Sequence, residues 1–359
     1  MAVTTKIIYV LTFIAFFFGQ LARIDIKGIS FPIIDIFILV LAFVNIIKQI
    51  KDKKLVIHNN FFLFFLIFAW INLPLAFFIH NLASIKSVFY LLRLTSLLSF
   101  IIFPPRLDEK TQKFFHLIIF SNIIFGLIQY FFWPNFTYFN SLSWDPHLYR
   151  LVSTFFDPTF TALIFLFFII VVFLNKKIPY RPFLLVISYI ALALTYSRAT
   201  FLAFLLAFTF IAIKKKKINI FIFSLILFSL TLLILPRKEG EGTKLERTSS
   251  IAAKIENYKQ AFSLFKQSPV IGFGYNNLSL VRTDIKDSNS HANSGFDGSL
   301  MTILVTTGVI GFVLFTAGLI KFFKKSDLKT QTILIALLFH SLFANSLLYP
   351  FVFLCLIFI

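Results

Sequence analysis

Long apolar runs separated by short polar connections dominate this chain, and they constrain its fold more than any other feature. Runs of about 15 to 22 residues suit helices that cross a bilayer, whereas barrel strands show segments of roughly ten residues with alternating character. Hydrophobic residues make up 58% of the sequence and 53 of the 359 residues are Phe, which leaves too little polar surface to coat a soluble globule. The sequence therefore predicts an all-α, polytopic membrane helix bundle.

Twelve apolar runs are candidate spans, and the longest polar stretch separates the ninth from the tenth. The spans cover residues 7–22, 31–47, 61–79, 88–104, 114–133, 156–174, 183–196, 199–213, 218–235, 300–320, 331–344 and 347–359. This order predicts three segments. Residues 1–235 hold helices one to nine, residues 236–299 form a large external loop with an amphipathic helix, and residues 300–359 hold the C-terminal helices.

The net charge of +19 comes from 34 Lys and Arg residues that are dispersed between the apolar runs. This distribution argues against a nucleic-acid-binding domain. With a cytoplasmic N-terminus, all five lysine-rich clusters fall on the cytoplasmic side, as the positive-inside rule requires. The single cysteine, Cys355, lies in the last apolar run, so a disulfide framework or a thiolate metal site is excluded.

The same topology places most arginines on the outer face. The outward set is Arg23, Arg150, Arg198, Arg237, Arg247, Arg282 and His291. An external arginine gains nothing from the positive-inside rule, but its planar guanidinium fork suits phosphate oxygens. The outer face is therefore the candidate site.

Two of these arginines stand beside predicted helix starts. Residues 183–213 are too many for one span and just enough for two short ones, so Ser197-Arg198 marks a tight hairpin. If Arg198 lies partly below the membrane surface, its charge requires an anionic partner. The alternative is that the side chain extends to the membrane interface, where its charge is hydrated. Arg150 precedes the sixth span, where Asp157 is expected to cap the helix and the helix N-terminus adds attraction for an anion.

The large loop holds a helical pattern and a histidine. Apolar residues recur at helical spacing over residues 251–265, which predicts an amphipathic helix at the membrane interface or against the bundle, with Arg247 in its opening turns. Pro269 ends this helix and two glycines permit a tight turn. Further on, the neutral imidazole of His291 can accept a proton from a hydroxyl group. For Arg247 and His291 a plain solvated side chain is the alternative.

Taken in order, four motifs resemble the O-antigen ligase and polymerase superfamily. They are Thr195-Tyr196-Ser197-Arg198, Ser268-Pro-Val-Ile-Gly-Phe-Gly-Tyr275, Ser290-His291 and Gly308-Val-Ile-Gly311. The resemblance implies a GT-C-like, inverting, metal-independent and cofactor-free glycosyltransferase on the outer face of the bacterial cytoplasmic membrane. Its donor would be a glycan on undecaprenyl diphosphate and its acceptor a hydroxyl group of a glycan or lipid.

The resemblance also implies roles for the outward residues. Arg198 and Arg150 would hold the diphosphate, Arg247 and Arg282 would assist substrate binding, and His291 would activate the acceptor. Asp297 either orients His291 or caps the tenth span, and we favour the cap.

Two alternatives stay open at this point. Ala292 intervenes between His291 and Asn293, unlike most ligases, and residues 296–300 look more like polymerases, so polymerase and ligase are both retained. A flippase or transporter of lipid-linked oligosaccharide is the alternative from another class. No internal repeat is apparent and Arg93 is the one basic residue deep within a span, which favours the enzyme.

Overall fold

The computed structural model describes residues 2–26, 29–82, 84–138, 145–236, 238, 240–282 and 295–359. Each of the twelve candidate spans overlaps one α-helix, and two further helices lie in the described part of the large loop. The helices are α1 (Ala2–Phe18), α2 (Ile34–Lys51), α3 (Asn60–His80), α4 (Ile85–Ile102), α5 (Glu109–Phe132), α6 (Pro158–Leu174), α7 (Arg181–Ala193), α8 (Arg198–Lys215), α9 (Ile218–Ile234), α10 (Ser249–Gln267), α11 (Leu278–Val281), α12 (Ser299–Lys325), α13 (Leu328–His340) and α14 (Pro350–Phe358).

Among the described residues, four helices are both long and apolar enough to cross a membrane, namely α3, α4, α5 and α12. The shorter apolar helices include α6, α7, α9 and α13. This is the architecture of an all-α membrane protein. The count of twelve spans and the GT-C arrangement stay predictions.

One small sheet departs from the expected all-α fold. Strands β1 (Arg23–Ile26) and β2 (Ile29–Pro32) pair antiparallel between α1 and α2, with Arg23 opposite Pro32. The alternating polar and apolar residues of this connection fit a strand, because successive side chains of a strand point to opposite faces. The sequence prediction missed this hairpin because it lies in a short connection and because residues 31 and 32 were assigned to the second apolar span.

The core of the bundle is built around α6 and α14. Almost every residue of these two helices is buried, because other helices surround them. Phe351 at the start of α14 packs edge-on against Phe16 and Phe155, and Phe358 at its end packs against Phe13. By contrast, α9 buries only Ser224 and Thr231. A helix that is apolar on every side therefore lies either at the centre of the bundle or at its surface, where its side chains can contact lipid.

Helix α12 is broken at Gly308, whose φ of 62° and ψ of −169° are not helical. The segment 269–273 packs into the break, where the Phe273 amide donates to the Val305 carbonyl at 3.3 Å. The Asn72 side chain of α3 donates to the Ile271 carbonyl at 2.7 Å. Backbone groups freed by the break thus find partners within the protein, as non-helical backbone at membrane depth requires.

Candidate functional site

The segment 147–157 leads into α6 in a tightly constrained conformation. Four of its non-glycine residues have left-handed backbone angles, namely His147, Tyr149, Ser153 and Phe156. The Leu151 amide donates to the Leu194 carbonyl at 2.9 Å, which fixes the segment to the turn between α7 and α8. Such left-handed residues persist only where surrounding contacts hold them.

Arg150 lies at the centre of this segment and is only 6% exposed. Its Nε donates to the carbonyl of Thr195 at 2.9 Å. A Cβ added at Gly242 would lie 2.7 Å from the Arg150 Cδ, so the large loop passes directly over the side chain. The entry to α6, the α7–α8 turn and the large loop therefore meet at Arg150.

Arg198 is the first residue of α8, and the predicted tight hairpin after α7 is confirmed. Its Nη1 donates to the carbonyls of Leu245 at 3.0 Å and Arg247 at 2.7 Å. This contact ties the start of the large loop to the hairpin.

Arg247 differs from its predicted position in the opening turns of the loop helix. Helix α10 begins at Ser249 with Thr248 as the preceding cap residue, so Arg247 lies before the helix. Its Nη1 donates to the carbonyl of Gly242 at 2.6 Å. The hydrogen bonds to the Gly242 carbonyl and from Arg198 hold Arg247 in the loop before the helix.

Arg150, Arg198 and Arg247 form what we term the arginine cluster. Burial, together with the charges of Arg247 and Arg198, lowers the pKa of Arg150 to about 10, although the carboxylates of Asp157 and Asp145 partly oppose this shift. Arg150 remains charged at neutral pH because this pKa is still well above 7. Arg150 is buried and the other two are partly exposed, and three guanidinium groups that influence one another create a strongly positive region suited to an anion.

Asp157 caps α6, as predicted. Its Oδ1 accepts hydrogen bonds from the amides of Thr159 at 2.6 Å and Phe160 at 3.2 Å. Because the carboxylate is engaged in the cap, it offsets the positive charge of the arginine cluster only in part.

His147 is a further member of this region that the sequence prediction missed. Its Nδ1 lies 3.7 Å from Asp145 Oδ2. Burial lowers the pKa of His147, and the charge of Arg150 lowers it too. The carboxylates of Asp157 and Asp145 raise this pKa and so oppose the shift in part. The imidazole is therefore neutral at neutral pH. Its position three residues before Arg150 was the only signal in the sequence.

Arg282 makes its contacts at a different part of the loop. Its Nη1 donates to the Gly295 carbonyl at 2.7 Å, and its guanidinium lies 4.7 Å from the centre of the Phe296 ring. Arg282 thus links the two ends of the stretch that contains His291. Positions 237 and 291 lie outside the described residues, so the expectations for Arg237 and His291 are carried by the sequence alone.

Asp297 does not cap α12, and this prediction was wrong. Gly298 is the cap residue and no side chain bonds there. Instead, Asp297 Oδ2 lies 3.3 Å from Lys254 Nζ, and the Asp297 amide donates to Asn257 Oδ1 at 2.9 Å. Packing of α10 against α12 brings Lys254 and Asn257 to this position, which the order of residues alone does not reveal.

Residues 183–316 match a family model described as O-antigen ligase. This stretch is similar to the O-antigen ligase family. It runs from α7 into α12 and includes Arg198, Arg247 and the broken helix, so the superfamily expected from the motifs is confirmed. O-antigen ligases are membrane enzymes of the glycosyltransferase type. No curated protein matches the chain. Arg150 precedes the matched stretch but contacts it through Thr195.

Proposed function

We propose that this chain transfers a glycan from undecaprenyl diphosphate to an acceptor hydroxyl on the outer face of the bacterial cytoplasmic membrane, as a polymerase or ligase of surface polysaccharide. The reaction is inverting and needs no metal or cofactor. The arginine cluster carries this proposal, because three fixed guanidinium groups in a membrane protein suit the diphosphate of a lipid-linked donor.

The buried Arg150 supplies the sharpest support. Its Nε is bonded to Thr195, while its two Nη groups donate no hydrogen bond within the described part of the chain. These Nη groups can therefore donate hydrogen bonds to an anionic ligand. The starts of α6 and α8 lie beside Arg150 and Arg198, and helix N-termini add attraction for phosphate oxygens.

The chemistry follows from the charge of the leaving group. When the bond from the anomeric carbon to the diphosphate oxygen breaks, negative charge builds up on the diphosphate, and guanidinium groups placed beforehand stabilise it. We assign His291 as the base that takes the proton from the acceptor hydroxyl on the opposite face of the sugar, which inverts the anomeric carbon. Arg282 and Asp297 flank the His291 stretch, and we assign them to the acceptor.

The test is incubation of the purified protein, in lipid nanodiscs, with a synthetic undecaprenyl-diphosphate-linked repeat. A ladder of products would identify a polymerase, and transfer only to an added lipid A core would identify a ligase. A second preparation in sealed vesicles measures movement of the same lipid. Movement without formation of any new glycosidic bond would overturn the proposal in favour of a transporter.

A further inference from the structure

An apolar groove lies between α2 and α3. Both helices pack against α4, and α4 contributes Thr95, Ser99 and Ile102 to the lining of the groove. Ile46 of α2 and Ile67 of α3 line it from the two sides. The groove has a volume of about 430 Å³, so it can hold part of another molecule.

Every polar side chain that lines the groove is satisfied by the protein. Trp70 Nε1 donates to Thr95 Oγ1 at 3.0 Å, and Thr95 Oγ1 donates to the Leu91 carbonyl at 2.7 Å. Ser99 Oγ donates to the Ser96 carbonyl at 2.7 Å. The surface that remains open is therefore apolar. Such a surface suits a hydrocarbon chain rather than water or a sugar.

The volume of the groove suits one fatty acyl chain. An engineered apolar cavity of about 150 Å³ in another protein binds one benzene molecule, which has six carbon atoms. The groove has about three times that volume, so by the same measure it holds a chain of roughly 18 carbon atoms. A polyprenyl chain is much longer, and most of it would remain outside the groove.

The groove lies towards the end of the bundle away from the large loop. Asn59, the residue before α3, donates to the Gly318 carbonyl in the last third of α12 at 2.8 Å. The segment 269–273 of the large loop instead packs into the break of α12 at Gly308. In the predicted topology the groove thus lies in the cytoplasmic leaflet.

The ends of α2 and α4 are joined beside the groove. Asn45 and Gln49 of α2 donate to the Phe103 carbonyl at 2.8 and 3.2 Å. Lys48 and Lys51 lie in the last turn of α2, where they offset the negative end of the helix dipole. These contacts satisfy the helix ends without the residues that follow α2.

Lys53 and Lys54, which follow α2, are exposed. Neither forms an ion pair within the described part of the chain, although Asp52 precedes them. On the other side of the groove, Lys321 Nζ lies 5.8 Å from the centre of the Phe61 ring at the start of α3. Clusters of basic residues directly cytoplasmic of a membrane span attract anionic lipid headgroups. The end of the groove therefore has the charge that such a headgroup requires.

We propose that this groove binds one acyl chain of an anionic phospholipid of the cytoplasmic leaflet, and that Lys53 and Lys54 bind its phosphate. The chain fills the space between α2 and α3 and stabilises their positions on α4. Because the site is formed by other residues than the arginine cluster, lipid binding does not depend on the transfer reaction.

The test adds dioleoyl-phosphatidylglycerol or dioleoyl-phosphatidylcholine to the full-length protein in detergent. The melting temperature is measured at each lipid concentration, and native mass spectrometry counts the lipids retained. A ligand that binds only the folded state raises the melting temperature as its concentration increases. We expect one retained phosphatidylglycerol and a rise that phosphatidylcholine, which has no net charge, does not match. An equal rise with both lipids would overturn the selection of an anionic headgroup.

Ile67→Trp tests the groove, because the larger side chain occupies part of it. This variant should lose the rise with phosphatidylglycerol. Ile79→Trp, the same change at an exposed position of α3 outside the groove, is the matched control and should keep it. The melting temperature of each variant without added lipid shows whether it is folded. Retention of phosphatidylglycerol by folded Ile67→Trp would overturn the site.

Lys53→Gln combined with Lys54→Gln tests the headgroup contact. Both side chains are exposed, so folding should be unaffected, and the affinity for phosphatidylglycerol should fall about tenfold. Lys216→Gln combined with Lys217→Gln, in the connection between α8 and α9, is the control and should leave the affinity unchanged. Unchanged affinity in the first pair would contradict the proposal.

Two other occupants of the groove would also overturn the proposal. Displacement of the phospholipid by undecaprenyl phosphate would assign the groove to a polyprenyl chain. A dimer in detergent that Ile67→Trp converts to a monomer would assign it to a second copy of this chain.

Discussion

Val309, one residue beyond the break in α12, donates its amide hydrogen to the carbonyl of Pro269 at 2.9 Å. Two motifs that lie far apart in the sequence therefore meet through their backbones. The amide of Ile310 repeats the contact with the carbonyl of Val270 at 3.3 Å. This junction anchors the middle of the large loop against the bundle, while Arg198 anchors the beginning of the loop.

Gly308→Ala is expected to destabilise the protein by about 2–4 kcal/mol. A Cβ there would lie 2.2 Å from the carbonyl oxygen of Val270, and the φ of 62° disfavours any side chain. Thermal unfolding in detergent measures the effect. Val313→Ala, which shortens a side chain 55% exposed on the same helix, is the control and should change the midpoint little. Equal midpoints for the two variants would show that the junction tolerates a side chain.

Arg198→Lys should reduce transfer by a factor of about 100 while the melting temperature changes little. Lysine keeps the charge but cannot contact two loop carbonyls and a phosphate with one planar fork. Turnover of the lipid-linked donor is the measurement. Arg106→Lys, the same substitution in the connection between α4 and α5, should retain full turnover. Full activity of Arg198→Lys would exclude a role for the fork in diphosphate binding.

His291→Ala should abolish transfer while binding of the lipid-linked donor persists, because a base acts on the acceptor rather than on the diphosphate. Donor affinity and product formation are measured on the same sample. His58→Ala, which removes an exposed histidine between α2 and α3, serves as the control. Loss of donor binding in His291→Ala would reassign the residue to the donor.

His147→Asn should weaken the pH dependence of stability. Burial depresses the pKa of His147 in the folded chain, while the unfolded chain keeps the ordinary value of about 6.5. As pH falls below about 6.5, the unfolded chain takes up this proton first, so folded stability is full above that pH and declines below it. Asn tolerates the left-handed backbone at this position, where φ is 41°. When the pH is lowered from 7.5 to 5.0, the melting temperature of the variant should fall less than that of the unsubstituted protein. An equal fall in both would reject this account.

Lys215→Cys and Lys259→Cys should react with a membrane-impermeant thiol reagent from opposite sides of the membrane. Lys215 ends α8 and Lys259 lies on α10, and the predicted topology places these positions on different faces. The native Cys355 is buried, so it contributes little background. Labelling of both from one side of intact cells would refute the topology.

Much of the helical layout was readable from the sequence, because a long apolar run in a membrane protein forms a helix whatever surrounds it. The tight turn before Arg198 followed from span length, and the cap at Asp157 followed from the Asp-Pro pair. Both depend on neighbours in the chain. The β-hairpin was not predicted because a strand of four residues gives too little alternation to distinguish it from a loop.

The contacts that fix the site depend on tertiary packing and could not be read in this way. Nothing local to Arg150 reveals that Thr195 supplies its partner, and nothing local to Asp297 reveals Lys254. Arg93 was recognised as deep within a span, but its partner was not. A single acidic residue at the start of an apolar run, Asp35, was the available signal.

The hydrogen bond between Arg150 and Thr195 means that this side chain has already given up its rotational freedom before any substrate arrives. A flexible arginine on the surface would lose that freedom only on association, at a cost of about 0.5–1.5 kcal/mol. In this protein the side chain loses that freedom during folding, when the segment before α6 adopts its left-handed turns. A diphosphate bound at this side chain, as proposed, would therefore meet a rigid site and retain more of its interaction energy as affinity.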